Sequence, residues 1–189
     1  MRRPVHNEEF LDLFRTMRRG AFRLELRDRY NVAAERERWE AFLAADWARL
    51  EELNRVQRAV WMQLMKDATT SGRQVERVRV VSEPPSRYIQ FELTLNAGNA
   101  EAGEDIRYLP REQAATLDLP GEDYWLFDGA VAVVLRFDDD DVLTGMELTD
   151  EPATLARYRS GQQLAWQHAV PYPVYVKKWA GLGEHPPSA

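Results

Sequence analysis

Two arginines spaced two residues apart, Arg77 and Arg79 in the run VERVRVVSEP, are the side chains best placed to do chemistry in this chain. Alternation along a strand puts both on one face and Val78 and Val80 on the other. A pair so placed could clamp a carboxylate or a phosphate through planar guanidinium forks. Ser82 and Glu83 follow at the carboxyl end of the strand, where open α/β sheets bind their ligands. Glu104 and Arg107 flank the start of the next apolar run, so the candidate site for a small anionic ligand is Arg77, Arg79, Ser82, Glu83, Glu104 and Arg107. The competing expectation is internal pairing, with Glu25, Glu92 or Glu104 neutralising the arginines, because buried charge is seldom left without a partner.

Other chemistries have little to build on. Histidine stands only at positions 6, 168 and 185, with no HExxH spacing, and there is no cysteine, so neither a histidine metal site nor a thiol nucleophile is expected. His168 falls in the last turn of an expected helix, where the dipole favours positive charge. The run Asp138 to Asp141 lacks the alternating ligands, sixth-position glycine and distal glutamate of a calcium loop, and reads as a solvated hairpin tip. No GxGxxG, GxxxxGK[ST] or GxSxG occurs, which removes the commonest dinucleotide, nucleotide and serine-hydrolase readings. The aromatic residues Trp61, Tyr124, Trp125, Phe127 and Trp166 read as core rather than as a stacking platform. No catalytic residue, metal or cofactor is assigned. The enzymatic alternative uses carboxylates, Glu83 with Glu104 or Asp128, as acid and base on a phosphate- or carboxylate-bearing substrate.

These residues need elements to hold them. At 189 residues and 44% hydrophobic content the chain can bury one core, and one domain is expected: a helical region over 1–72, an α/β core over 73–170 and an extended tail over 171–189. Apolar spacing of three and four predicts a helix over 7–17 and two helices within 33–72, broken near 44–47. Strands are expected over 21–30, with a helix as the alternative there, over 75–81 and over 105–109, and a hairpin across Asp138 to Asp141. Further helices are expected from the prolines at 84 and 85 to about Asn96–Asn99, over 111–117 and over 151–169. The segment GEDYWLFDGAVAVV, from Gly121 to Val134, reads as strand, tight turn at Asp128-Gly129, strand. The fold class is therefore α/β, or α+β, with a mixed sheet flanked by helices. A net charge of −6 disfavours direct nucleic-acid binding. No apolar window is long enough for a membrane span or a signal peptide, so a cytoplasmic protein is expected.

The chain resembles an uncharacterised actinobacterial family, a domain of unknown function encoded near helix-turn-helix regulators of the xenobiotic-response type. The residues that carry the resemblance are FRLE (Phe22 to Glu25) with Tyr30, RVRVVSEP (Arg77 to Pro84), YIQFE (Tyr88 to Glu92), AGEDIRYLP (Ala102 to Pro110), DYWLFDG (Asp123 to Gly129), ELTDEP (Glu147 to Pro152) and HAVP (His168 to Pro171). The resemblance implies a noncatalytic regulatory protein that holds a ligand or a partner, with a helix-turn-helix regulator as the implied partner. The turn segment also resembles half of a phospholipase D-like fold. That family's His-x-Lys-x-x-x-x-Asp pattern falls here on Gly121, Asp123 and Asp128, so the nucleophile and the phosphate-binding lysine are missing. Half-motif members of that class pair two copies, which implies a homodimer.

Overall fold

The computed structural model describes residues 2–180. In chain order its elements are β1 (Arg3–Pro4), α1 (Asn7–Thr16), β2 (Gly20–Glu25), α2 (Arg36–Leu43), α3 (Trp47–Gln57), α4 (Ala59–Thr70), β3 (Gln74–Val81), α5 (Arg87–Glu101), β4 (Asp105–Pro110), α6 (Arg111–Ala114), β5 (Asp123–Phe127), β6 (Val131–Phe137), β7 (Leu143–Thr149), α7 (Pro152–His168), β8 (Val170–Pro171) and α8 (Tyr172–Lys178). One eight-stranded mixed sheet runs in the order β1-β7-β6-β5-β2-β3-β4-β8. Strands β2, β3 and β4 are parallel, and the other pairings are antiparallel. The chain is thus α/β, as its sequence pattern predicts. Among the described residues no helix is long and apolar enough to cross a membrane.

Both faces of the sheet are covered, but not by the same kind of packing. On one face Phe22, Leu24, Val78, Val80, Leu126 and Val134 meet Leu155, Tyr158 and Ala165 of α7 in a continuous apolar cluster. The other face carries two apolar clusters, one at each end of the central strands. Ala21, Val75, Trp125 and Phe127 pack on Phe10 and Phe14 of α1 and Met65 of α4. Val81, Ile106 and Tyr108 pack on Phe42, Leu50, Ile89 and Phe91 of α2, α3 and α5. Phe14 has no exposed surface and sits edge-on to Trp61, Trp125 and Phe127, a burial worth roughly 1.5–3 kcal/mol. Between these two clusters, on the same face, lie Arg23, Glu25, Arg77 and Arg79.

Two tight spots fix the register of the central strands. Gly20 opens β2 where a Cβ would stand 2.1 Å from the Gln74 carbonyl oxygen, so β2 and β3 can approach only because this residue is glycine. Asp128 and Gly129, at φ 53° and 69°, make the two-residue turn between β5 and β6, closed by Ala130 N–H donating to Phe127 O at 2.9 Å. The Asp128 carboxylate accepts from the backbone N–H groups of Arg18, Arg19 and Gly20 and so ties this hairpin to the start of β2. The expected turn at these residues is present, and it works as a brace.

Several element boundaries differ from the sequence pattern, each for an identifiable physical reason. Strand β2 ends at Glu25 rather than Tyr30, because the following loop turns Tyr30 back so that its hydroxyl donates to Asp123. The expected break near 44–47 holds, with Ala45 at φ 54° and Asp46 capping α3. A second break at Arg58 divides the remainder into two helices, where the Arg58 guanidinium reaches the Leu95 carbonyl and the Asn99 side chain. The prolines at 84 and 85 precede α5 rather than begin it, and Ser86 is the cap, its Oγ accepting from Ile89 N–H at 3.2 Å. Helix α5 continues to Glu101 because Asn96 and Asn99 face inward, Asn96 donating to the Tyr108 hydroxyl. The expected helix over 111–117 shrinks to the single turn of α6. Part of the expected extended tail is ordered as β8 and α8, held by Tyr175 stacked on Tyr108 at 4.4 Å. Residues 181–189 of that tail, with His185, lie outside the described residues.

Candidate functional site

The charged patch between the two apolar clusters forms the floor of a pocket of about 710 Å³. Strand β2 supplies Arg23 and Glu25 and β3 supplies Arg77 and Arg79; register pairs Arg23 with Arg77 and Glu25 with Arg79. All four are less than a tenth exposed. Glu25 is the centre of the network: its Oε1 is 3.1 Å from Arg77 and 3.5 Å from Arg23, and its Oε2 is 2.7 Å from Arg79. Arg77 also binds Glu104 at 2.7 Å, and Arg79 binds Glu92 of α5 at 2.8 Å. Arg23 is held more loosely, 3.5 Å from Asp123. Burial by itself would raise the Glu25 carboxyl, but Arg79, Arg77 and Arg23 together override it and set the group at about 2.

A second layer closes the pocket from above. The single 3₁₀ turn Ala33–Glu35 and the first turn of α2 bring Glu35 and Arg38 over the floor, 3.8 Å apart. The Tyr88 hydroxyl donates to Glu35 Oε2 at 3.0 Å. Burial, with a further push from Glu92, raises the Glu35 carboxyl to about 7. Burial likewise raises Asp123, against the opposing pull of Arg23 and the Tyr30 hydroxyl. Among the described residues three buried guanidinium nitrogens of pocket-lining arginines have no hydrogen-bond partner: Arg23 Nη1, Arg38 Nε and Arg79 Nη1. An unmade bond at a buried cationic donor is costly, so spare donor capacity concentrated in one pocket is a feature to be explained.

The sequence-derived site residues do not all meet there. Arg77 and Arg79 do, and internal pairing with Glu25, Glu92 and Glu104 is what the structure displays. Glu104 is buried beneath Arg77 as its partner, not exposed to the pocket. Ser82 lies beyond the end of β3, where its hydroxyl and N–H bind Asp28 and Arg111 Nε reaches its Oγ at 3.1 Å. Glu83 is tied to Lys178 of α8 at 2.7 Å. Arg107 points to the opposite face of the sheet, stacked 3.7 Å over the Trp166 ring. Glu83, Glu104 and Asp128 are therefore separated, and no carboxylate pair of the expected kind forms.

Arg23, Tyr30, Glu35, Arg38, Arg58 and Tyr88 also line the pocket, none of them among the expected site residues, and Asp123 stands behind them as the acceptor of the Tyr30 hydroxyl. Arg23 and Glu25 carried a signal, since they alternate with Phe22 and Leu24 in FRLE, but alternation assigns them to an outer face without showing that this face is covered. The run Asp138 to Asp141 is more than a hairpin tip. Asp138 caps the N–H groups of Asp140 and Val142, Asp141 pairs with Arg27, and Asp141 O accepts from Asn31 N–H, which docks the tip beside the pocket mouth. Among the described residues no cluster of side chains could hold a metal ion. His168 turns its Nδ1 to the Leu164 carbonyl at 2.9 Å, inside its own helix.

Fold and site together define a mixed α/β protein with an ionic network buried under a pocket on one face of its sheet. The family described as Domain of unknown function (DUF6879) matches residues 8–177, and the chain belongs to that family. No curated protein matches the sequence.

Proposed function

We propose that this protein is a noncatalytic binding protein that holds a small anionic molecule over the floor formed by Arg23 and Arg79. The observation that carries the reading is that Arg23, Arg38 and Arg79, three arginines lining one pocket, each keep a buried guanidinium nitrogen without a hydrogen-bond partner. Charge balance favours an anion as well. Five arginines (23, 38, 58, 77 and 79) face five acids (Glu25, Glu35, Glu92, Glu104 and Asp123), and protonation of Glu35 leaves the positive side in excess. The volume is that of an ordinary small-molecule pocket. A regulatory role, with a helix-turn-helix protein reading ligand occupancy in the cytoplasm, is the part of the proposal that rests on family resemblance alone.

A thermal-shift titration with acetate and with inorganic phosphate at pH 6.5 tests the anion site. Ligand at about a hundredfold over its dissociation constant adds roughly 2.7 kcal/mol to stability. That gain should be lost in Arg23→Gln, whose two ion pairs are long enough for the variant to fold. No shift with either anion, or an equal shift in the variant, refutes the reading. One observation favours an enzyme instead: Glu35, raised to about 7 beside the Tyr88 hydroxyl, is poised as a general acid or base. Turnover of a bound anion that Glu35→Gln abolishes without weakening binding would move the assignment to that reading.

A further inference from the structure

The pocket is amphipathic in depth. Its floor is ionic, whereas its walls carry Tyr30, Trp61, Tyr88, Trp125 and Phe137. Its rim carries Val32, Val142 and Leu143, which are 40%, 37% and 42% exposed. Large apolar side chains left in water are individually unremarkable, but three of them on the lip of one pocket are a contiguous apolar surface. They are also built into place. Val32 adjoins Asn31, whose N–H binds the Asp141 carbonyl at 2.9 Å, and Val142 and Leu143 follow Asp141 directly. The Arg27–Asp141 ion pair and the Arg27 guanidinium over the Phe137 ring at 5.0 Å brace the same junction. Two chain segments about a hundred residues apart are thus fastened together so that their apolar side chains flank the opening.

Resting on the anion-binding reading above, we infer that the ligand is an amphiphilic monocarboxylate: one carboxylate on the arginine floor and an apolar body extending between the aromatic walls to Val32, Val142 and Leu143. A head carrying two charges fits less well, because the network is short of about one negative charge when Glu35 is protonated. A wholly polar anion would leave the rim and the walls wet. A wholly apolar ligand would leave the three arginine donors unmet.

Isothermal titration at pH 6.5 with decanoate, acetate, inorganic phosphate and decanol separates these cases. Decanoate should bind at least about tenfold tighter than acetate, a difference that follows from burying the alkyl body. Decanol should bind at least about tenfold weaker than decanoate, since it has no charge for the floor. Leu143→Ser, an uncharged change on the exposed rim, should weaken decanoate binding by more than it weakens acetate binding. If acetate or phosphate binds through Arg23 but decanoate gains nothing over acetate, the amphiphile is wrong and the anion site stands. If decanol equals decanoate, the carboxylate placement is wrong. If none of the four binds, both this inference and the anion reading fall.

Discussion

Glu25 is the residue on which the buried network depends, and Glu25→Gln is the perturbation that tests whether the network stabilises the fold. The carboxylate meets three guanidinium groups and is displaced from an ordinary value of 4.5 to about 2. At ~1.4 kcal/mol for each tenfold change in proton affinity, that displacement corresponds to about 3 kcal/mol of folding stability at neutral pH. The same magnitude is expected from the other direction, because removing one partner of a buried ion pair costs about 3–5 kcal/mol. The sign with pH follows from a depressed acid. The contribution is complete above the unfolded value near 4.5 and is lost as pH falls through the folded value, so about half should remain at pH 3. Urea unfolding followed by tryptophan fluorescence, at pH 7 and at pH 3, measures both numbers for the wild type and for the variant. Glu52→Gln, which removes an exposed pair with Arg55, serves as a control with no measurable change. A Glu25→Gln cost below about 1 kcal/mol at pH 7, or a gap between the proteins that does not narrow at pH 3, would refute the reasoning.

Glu35 and Asp128 each carry further expected outcomes. Glu35 is held above its ordinary value, so its ionisation opposes folding: the cost is absent in acid below about pH 4.5, accumulates as pH rises from there to the folded value of about 7, and is complete above it. Glu35→Gln should therefore match the wild type at pH 4 and exceed it by up to about 3 kcal/mol at pH 9, in chemical unfolding at the two pH values. Anion affinity of the wild type should fall over the same range, whereas that of Glu35→Gln should not, which titration calorimetry at pH 6 and pH 8.5 would decide. Asp128→Ala removes the acceptor for the N–H groups of Arg18, Arg19 and Gly20 and places a less tolerant residue at positive φ. A loss of about 1–3 kcal/mol is expected, with Asp128→Asn in between, because asparagine keeps one acceptor and accepts the left-handed backbone.

How much of this was legible beforehand depends on the range of the interactions. The Asp128-Gly129 turn, the break at residues 44–47 and the helix from Pro152 to His168 are local, governed by turn geometry, capping and the spacing of apolar residues. They could be read. The alternation of Arg77 and Arg79 against Val78 and Val80 was legible for the same reason. The division at Arg58, the extension of α5 to Glu101 and the ordering of α8 depend on partners contributed by distant segments: Leu95 and Asn99, Tyr108, and Tyr108 again. No window of sequence contains both members of those pairs.

The same division holds for the site. Pattern and composition suffice for the α/β class, for the lack of cysteine chemistry and of a histidine metal motif, and for two arginines sharing a strand face with acids available to pair with them. Which acids those are is set by the pairing of distant strands. Pairing of β2 with β3 sets Glu25 opposite Arg79 and between three guanidinium groups, while the opposite side of the sheet takes Arg107 away to Trp166. Closure by the turn at Ala33–Glu35 and by the docked Asp141 hairpin then converts a charged sheet face into a pocket. The cost of a buried charge depends on what surrounds it in three dimensions, and those surroundings are drawn from many separate stretches of the chain.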